Sequence, residues 1–231
     1  MQPVSATYEA LLAAGAPKEV RVIIAGTTYT QANIVSATTK GALFEQADTI
    51  GNAVAKELDL VLRSYNTIPR MAKIQVEFRL NDGTTQSEWL PKGTYYIDTR
   101  DEWNGVISIV AYDAMLKADT SYTTSGEQGG WPKTDLQVVQ AICSRIGITL
   151  DPRTEAMLTG GYQIQYPGFG EDAYTMRELL QFIGQMYAGN WWVNDMDKLM
   201  LVGLGDIPKE TNYLVEEHGD YILIGGYRIL V

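Results

Sequence analysis

Along residues 73–80 apolar and polar side chains alternate, with Ile74, Val76, Phe78 and Leu80 set against Lys73, Gln75, Glu77 and Arg79. A period of two places the first set on one face of a strand and the second on the other. Asn81-Asp82-Gly83 follows. Asp-Gly favours tight hairpin turns because their central residues need positive φ. After Pro91-Lys92-Gly93 a further strand is predicted over 94–99, then a turn at Asn104-Gly105 and a return over 106–112. The stretch reads as two consecutive hairpins closed by a short helical segment over 113–117. The returning strand is apolar on both faces, which places it centrally in a sheet or beneath another element.

Before this stretch, 5–14 reads as a short helix with Tyr8, Leu11 and Leu12 on one face, stopped by Gly15 and Pro17. Residues 19–24 alternate as a strand, and 27–39, rich in Thr, Asn and Ser, predict one or two exposed strands. Over 55–62 the leucines interleave with Glu57 and Asp59, favouring strand over helix. Several short strands at this spacing predict a β-barrel or sandwich over residues 1–118.

The pattern changes after Asp119. Residues 120–130 are nearly free of apolar side chains and suit a linker. A helix is predicted over 135–146, with Leu136, Val139, Ile142, Cys143 and Ile146 as its stripe and Gly147 as its stop. Thr175 and Glu178 form a capping box that opens a second helix, with Leu179, Ile183 and Met186 inward. Trp191-Trp192-Val193, a turn over 194–197 and a strand over 198–204 read as a hairpin. Residues 119–205 are therefore a mixed α/β unit. A last hairpin is expected over 206–231, turning near His218-Gly219-Asp220, with 221–231 as its second strand. Alone, two strands are marginal, so this hairpin is expected to begin a second barrel or to pair elsewhere. The expected fold class is α+β: an N-terminal β-barrel, a mixed α/β domain and the start of a second barrel.

With 28 acidic against 18 basic residues the net charge is −10. That disfavours a nucleic-acid grip, which needs clustered Lys and Arg. No run of about 18 uncharged apolar residues predicts a membrane-spanning helix, and no basic segment leads an apolar core at the N-terminus. Cys143, the single cysteine, has no intrachain partner and reads as a buried structural residue.

Catalytic material is sparse. His218, the one histidine, sits beside Gly219 in a predicted turn rather than near a nucleophile, and no Gly-x-Ser-x-Gly elbow exists. One His and one Cys are too few soft ligands for zinc. Glycine pairs at 129–130, 160–161 and 225–226 are turn material, not phosphate loops. Paired carboxylates could serve a glycosidase: Asp98 with Asp101 and Glu102, or Glu171 and Asp172 beside Tyr166 and Phe169, with Trp191 and Trp192 as a sugar platform. Acidic residues at turns and helix starts are more commonly caps. Asn194-Asp195-Met196-Asp197 lacks the remainder of a calcium loop. No catalytic, cofactor or metal residue is assigned.

Several phrases resemble the hub proteins at the tip of phage and prophage tails: Ile50-Gly51-Asn52-Ala53-Val54, Ile68-Pro69-Arg70-Met71-Ala72, 91–100 from Pro91 through Tyr95 to Arg100, 111–118 from Ala111 to Ala118, Trp131-Pro132, Ala188-Gly189-Asn190 and Gly225-Gly226-Tyr227-Arg228-Ile229. Their order spans most of the chain. The resemblance implies a homotrimer whose barrels form a torus continuing the tail tube, two barrels per subunit imitating six-fold symmetry. It implies tail-tube and distal-tail ring proteins as partners, DNA passing through the lumen without specific binding, assembly in the bacterial cytoplasm and residence at the virion tail tip. No membrane insertion and no cofactor are implied. The second barrel is only begun near 206, so the chain is expected to be either a fragment of a longer hub or a reduced one. Two other readings remain: a carbohydrate- or receptor-binding module of the tail tip, and a cell-wall glycosidase.

Overall fold

The computed structural model describes residues 2–43, 50–122, 130–158, 161–165, 174–203, 223–224 and 227–228. The fold is α+β, dominated by one large curled antiparallel sheet. Helix α1 (Ala6–Ala13), N-capped by Ser5, precedes seven strands: β1 (Lys18–Ile24), β2 (Thr27–Tyr29), β3 (Ile34–Lys40), β4 (Glu57–Arg63), β5 (Lys73–Leu80), β6 (Leu90–Trp103) and β7 (Val106–Tyr112). They stand in the order β2-β1-β5-β6-β7-β4-β3.

That order forces the curl. β2 and β3 are the two ends of the sheet, yet only residues 30–33 separate them. Five Cα steps from Tyr29 to Ile34 span at most about 17 Å. Seven strands laid flat would separate their outer members by about 29 Å, six gaps of about 4.8 Å. The sheet bends round until its edges nearly meet, leaving a seam without a ladder between β2 and β3. Gln31, inside the connection, donates to the Lys18 carbonyl of β1 (3.1 Å). The inner face holds Val22, Ile24, Leu58, Leu60, Leu62, Ile74, Val76, Tyr95, Ile97, Ile107 and Ile109 as one buried cluster. These are the alternate positions that the pattern of hydrophobicity marks.

Pro91-Lys92-Gly93 does not divide two strands. β6 runs without interruption from Leu90 to Trp103, and a bulge absorbs the irregularity: Val76 faces Gly93 while Glu77 faces Pro91. Proline has no N–H to donate, and a bulge is one of the few places inside a sheet that tolerates it. β7 lies between β6 and β4, as its two-faced apolar character requires.

A 3-10 helix (Ala114–Asp119), capped by Asp113, leads out of the sheet. Beyond it stand β8 (Lys133–Thr134), α2 (Asp135–Ile146), β9 (Thr149–Leu150), α3 (Pro152–Leu158), β10 (Gln163–Ile164), α4 (Met176–Met186), β11 (Gly189–Val193) and β12 (Lys198–Gly203). Capping boxes open α2 (Thr134 with Gln137) and α4 (Thr175 with Glu178), and Gly147 closes α2 at φ 79°. β11, β12 and β9 form a small sheet against which α4 and α2 pack around Trp191, Val139, Ile142, Leu180 and Ile183. Gly184 lies inside α4, where glycine is unfavourable. A Cβ there would fall 2.9 Å from the Gly189 carbonyl oxygen and 3.1 Å from Gly51 Cα, so glycine permits the helix to seat.

The structure departs from expectation in four places. Met186 is over a third exposed rather than inward, because α4 reaches only to that residue and its last turn passes the edge of the core. Leu12 of α1 is likewise exposed, leaving Leu11 as the buried contact. α3 has no sequence counterpart in the reading above. In the C-terminal stretch, β13 (Leu223–Ile224) pairs antiparallel with β14 (Tyr227–Arg228), so the single strand expected over 221–231 is not formed. The expected turn at His218 lies outside the described residues.

Candidate assembly surface and the seam behind it

The outward face of β6, β7, β4 and β3 follows from register. Tyr96, Tyr112 and Glu57 lie in one row, Thr99, Val110 and Asp59 in the next, Asp101, Ser108 and Val61 in a third, and Trp103, Val106 and Arg63 at the end. The valines are half-buried, and Trp103 is 80% exposed at the hairpin tip. Tyr65, 89% exposed, lies against Gly105 of that tip, where Asn104 (φ 50°) and Gly105 (φ 75°) take the positive φ that the turn needs. Lys40 of the edge strand binds both Glu57 (3.0 Å) and Asp59. β3 presents its other edge unpaired among the described residues, with Val35 exposed at its bulge. Unpaired edges of this kind are templates for another chain.

Behind the sheet a polar seam fixes the second unit. The turn between β11 and β12 brings Asp195 to two ammonium groups from the first unit, Lys56 and Lys92, each at 2.9 Å. Asp197 accepts from the Thr94 amide (2.9 Å) and hydroxyl (2.6 Å). Burial raises the Asp195 pKa, but hydrogen bonds from Lys92 and Lys56 outweigh it and hold the carboxyl below its usual range. Lys56 is almost fully buried, and its ammonium stands 5.2 Å from the Trp192 ring centroid. Asp113 accepts from the backbone amides of Lys56 (3.1 Å) and Met115 (3.0 Å). Its burial pushes the carboxyl up to about 6 against those hydrogen bonds and the nearby charges of Lys56 and Arg177. Arg177, at the start of α4, donates to the carbonyls of Ala53 and Met115 and to the Asp119 carboxylate. Ala53, Met115 and Ala118 bury themselves in the second unit's core, so one end of the junction is apolar and the other ionic.

The side chains considered for chemistry are distributed as follows. Asp98, Asp101 and Glu102 stand exposed on the β6–β7 hairpin; Asp98 lines an open cavity with Arg70, Met71 and Arg100, and neither Asp101 nor Glu102 lines it. Glu171, Asp172, Tyr166, Phe169 and His218 lie outside the described residues. Trp191 is fully buried with its indole N–H donating to the Leu180 carbonyl, so it presents no platform. Trp192 instead walls an open cavity. Cys143 is buried, and burial pushes its thiol up to about 12, far from a nucleophile's range. The Asn194–Asp197 carboxylates are taken by Lys56, Lys92 and Thr94, while Asn194 caps its own turn by accepting from the Met196 and Lys198 amides. Among the described residues no group of three His, Cys, Asp or Glu is placed to hold a metal ion.

No protein-family model matches the sequence, and no curated protein matches it. The architecture does have solved counterparts. The 43 kDa tail protein of prophage MuSo2 from Shewanella oneidensis superposes over 85% of this chain at TM-score 0.55 and 15% identity. The fold is shared with a prophage tail protein. A tail protein from Neisseria meningitidis MC58 (TM-score 0.49, 12% identity, 89% of this chain and 53% of that one) and prophage tail protein gp18 from Listeria monocytogenes EGD-e (0.47, 10%, 86% and 55%) are more distant. This chain spans 59% of the length of the MuSo2 protein.

Proposed function

We propose that this chain is a structural component of a bacteriophage or prophage tail tip, a baseplate hub that joins the tail tube to the tip as a trimeric ring and conduit. The observation that carries the reading is the curled sheet with a half-covered outward face and free edges, in a fold shared with the MuSo2 tail protein. Such a sheet suits edge-to-edge and face-to-face assembly rather than reaction chemistry. Its outward face carries Glu57, Asp59 and Asp101, with Asp98 and Glu102 on the same hairpin. An acidic wall of this kind lets a phosphate backbone pass by repulsion. Tail-tube and distal-tail ring proteins are the proposed neighbours, and the role is non-catalytic.

Light scattering at several protein concentrations tests the reading. A trimer is expected, and a monomer at every concentration, in the presence and absence of a cognate tube protein, would overturn it.

A further inference from the structure

Among the described residues, polar donors without a protein acceptor lie beside Trp192. A cavity of about 360 Å³ opens there, walled by Trp192, Asp151, Arg153, Asn194, Asp195 and Lys198. That volume lies within the range of small-ligand sites. Its floor is rigid. Asp151 is nearly buried, receives Arg153 through two hydrogen bonds (2.9 and 3.0 Å) and Asn194 through a third (3.3 Å), and also accepts the Arg153 amide at the start of α3. Asp195 is held from behind by Lys56 and Lys92.

With both carboxylates thus engaged, the groups left over are donors. Neither the Trp192 indole N–H nor the Lys198 ammonium has a protein acceptor among the described residues, although both line the cavity. The Arg153 side chain is 65% exposed, which leaves part of its guanidinium open to solvent. The charged lining, Arg153 and Lys198 against Asp151 and Asp195, balances in a chain whose net charge is −10, and Lys56 and Lys92 neutralise Asp195 from behind. A flat indole surface next to fixed amide, carboxylate and guanidinium groups is the combination that stacks a sugar ring and reads its hydroxyls. The Lys198 ammonium and the open part of the Arg153 guanidinium add recognition of a carboxylate or phosphate.

We infer that the Trp192 cavity binds a saccharide carrying an anionic group. The ring rests on Trp192, a hydroxyl accepts the second Nδ2 hydrogen of Asn194, and the anion meets Arg153 and Lys198.

The test uses the full chain labelled with 5-fluorotryptophan and read by fluorine NMR. It has five indole signals, and that of Trp192 is assigned by its loss in Trp192→Phe. Glucuronate, glucose and acetate are the probes. Glucuronate is expected to shift the Trp192 signal saturably with a Kd on the order of 1 mM, the range open to so small a ligand. Glucose should bind at least about 10-fold more weakly, and acetate should not saturate. The double variant Arg153→Gln/Lys198→Gln, whose side chains are not in a core, should lower glucuronate affinity about 10-fold and leave glucose unchanged. Loss of binding of both sugars in a variant with unchanged circular dichroism would overturn the assigned roles of Arg153 and Lys198. Absence of any saturable Trp192 shift, equal response to glucose and glucuronate, or equal response to acetate and glucuronate would overturn the site.

Discussion

The curled sheet and the α/β unit behind it bury their apolar residues differently. In the unit, Trp191, Val139, Ile142 and Leu180 are enclosed between helices and a small sheet. Its exposed rings Tyr174 and Phe182 meet each other edge to face at 5.2 Å. In the sheet only the inner face is enclosed. Val61, Val106, Val110, Tyr96 and Tyr112 remain half-covered on the outside, and Trp103 stands bare. Exposed apolar side chains occur in both regions, Tyr162, Phe182 and Met196 among those of the unit, but on the sheet half-covered ones lie in register along a face. The difference teaches where a partner is to be sought: on the sheet, with the α/β unit as its buttress.

The sharpest way to break this contrast is to empty the enclosed core. Trp191→Ala should destabilise the fold by about 3–5 kcal/mol, read as a lowered urea midpoint. A loss below about 1 kcal/mol would mean the unit is not closed around this ring. Next in size is the ionic end of the junction. Asp195→Ala leaves Lys56 buried without its acceptor, for an expected loss of about 1–3 kcal/mol. Adding Lys56→Met to that variant should recover most of it, because a well-packed apolar group replaces the stranded charge. If the double variant is no better than the single, the seam is held by shape rather than charge.

A smaller effect concerns Asp113. Its folded pKa, about 6, lies above the ordinary aspartate value of 3.8, so between these values the folded state binds the extra proton. Stability from this group is therefore lost as pH rises through that window and regained on acidification. From pH 5 to 7 the native protein should lose about 1 kcal/mol more than Asp113→Asn does, compared by urea titration at both pH values. Equal slopes would show that the carboxyl is not perturbed in the folded chain. The smallest expected effect on stability is at the half-covered face itself. Trp103→Ala should change the monomer by no more than about 0.5 kcal/mol, yet lower the mass seen by light scattering at limiting concentration. A large loss of stability with unchanged mass would reverse the assignment of the two regions.

The strands that were legible in the sequence are those whose burial is one-sided. Ile74 to Leu80, Leu58 to Leu62 and Val20 to Ile24 alternate because one face meets a core and the other meets water. Helix starts were legible where a local bond declares them, as at Thr175 and Glu178. α3 was not, since its turns carry a short, mixed run after Pro152, and its anchor is the neighbouring strand: the Thr154 hydroxyl accepts from the Leu201 amide. The continuity of β6 through Pro91 depended on a bulge at Lys92, where two residues of β6 face one of β5, which no local pattern records. The seam was invisible for a similar reason. Lys56 and Asp195 are 139 residues apart, and each alone reads as a surface charge. Likewise Trp191 and Trp192 look alike in sequence, and only the register of β11 sends one into the core and the other to a cavity.

The short link between β2 and β3 also acts as a ruler. Strand spacing is set by hydrogen bonds and cannot stretch, so with seven strands in place the length of residues 30–33 determines how far apart the two ends of the sheet can stand. How tightly the sheet closes over its packed core is thereby limited by a loop. A longer loop would relax that limit without adding a strand, so the closure of the scaffold rests on a handful of residues at its surface.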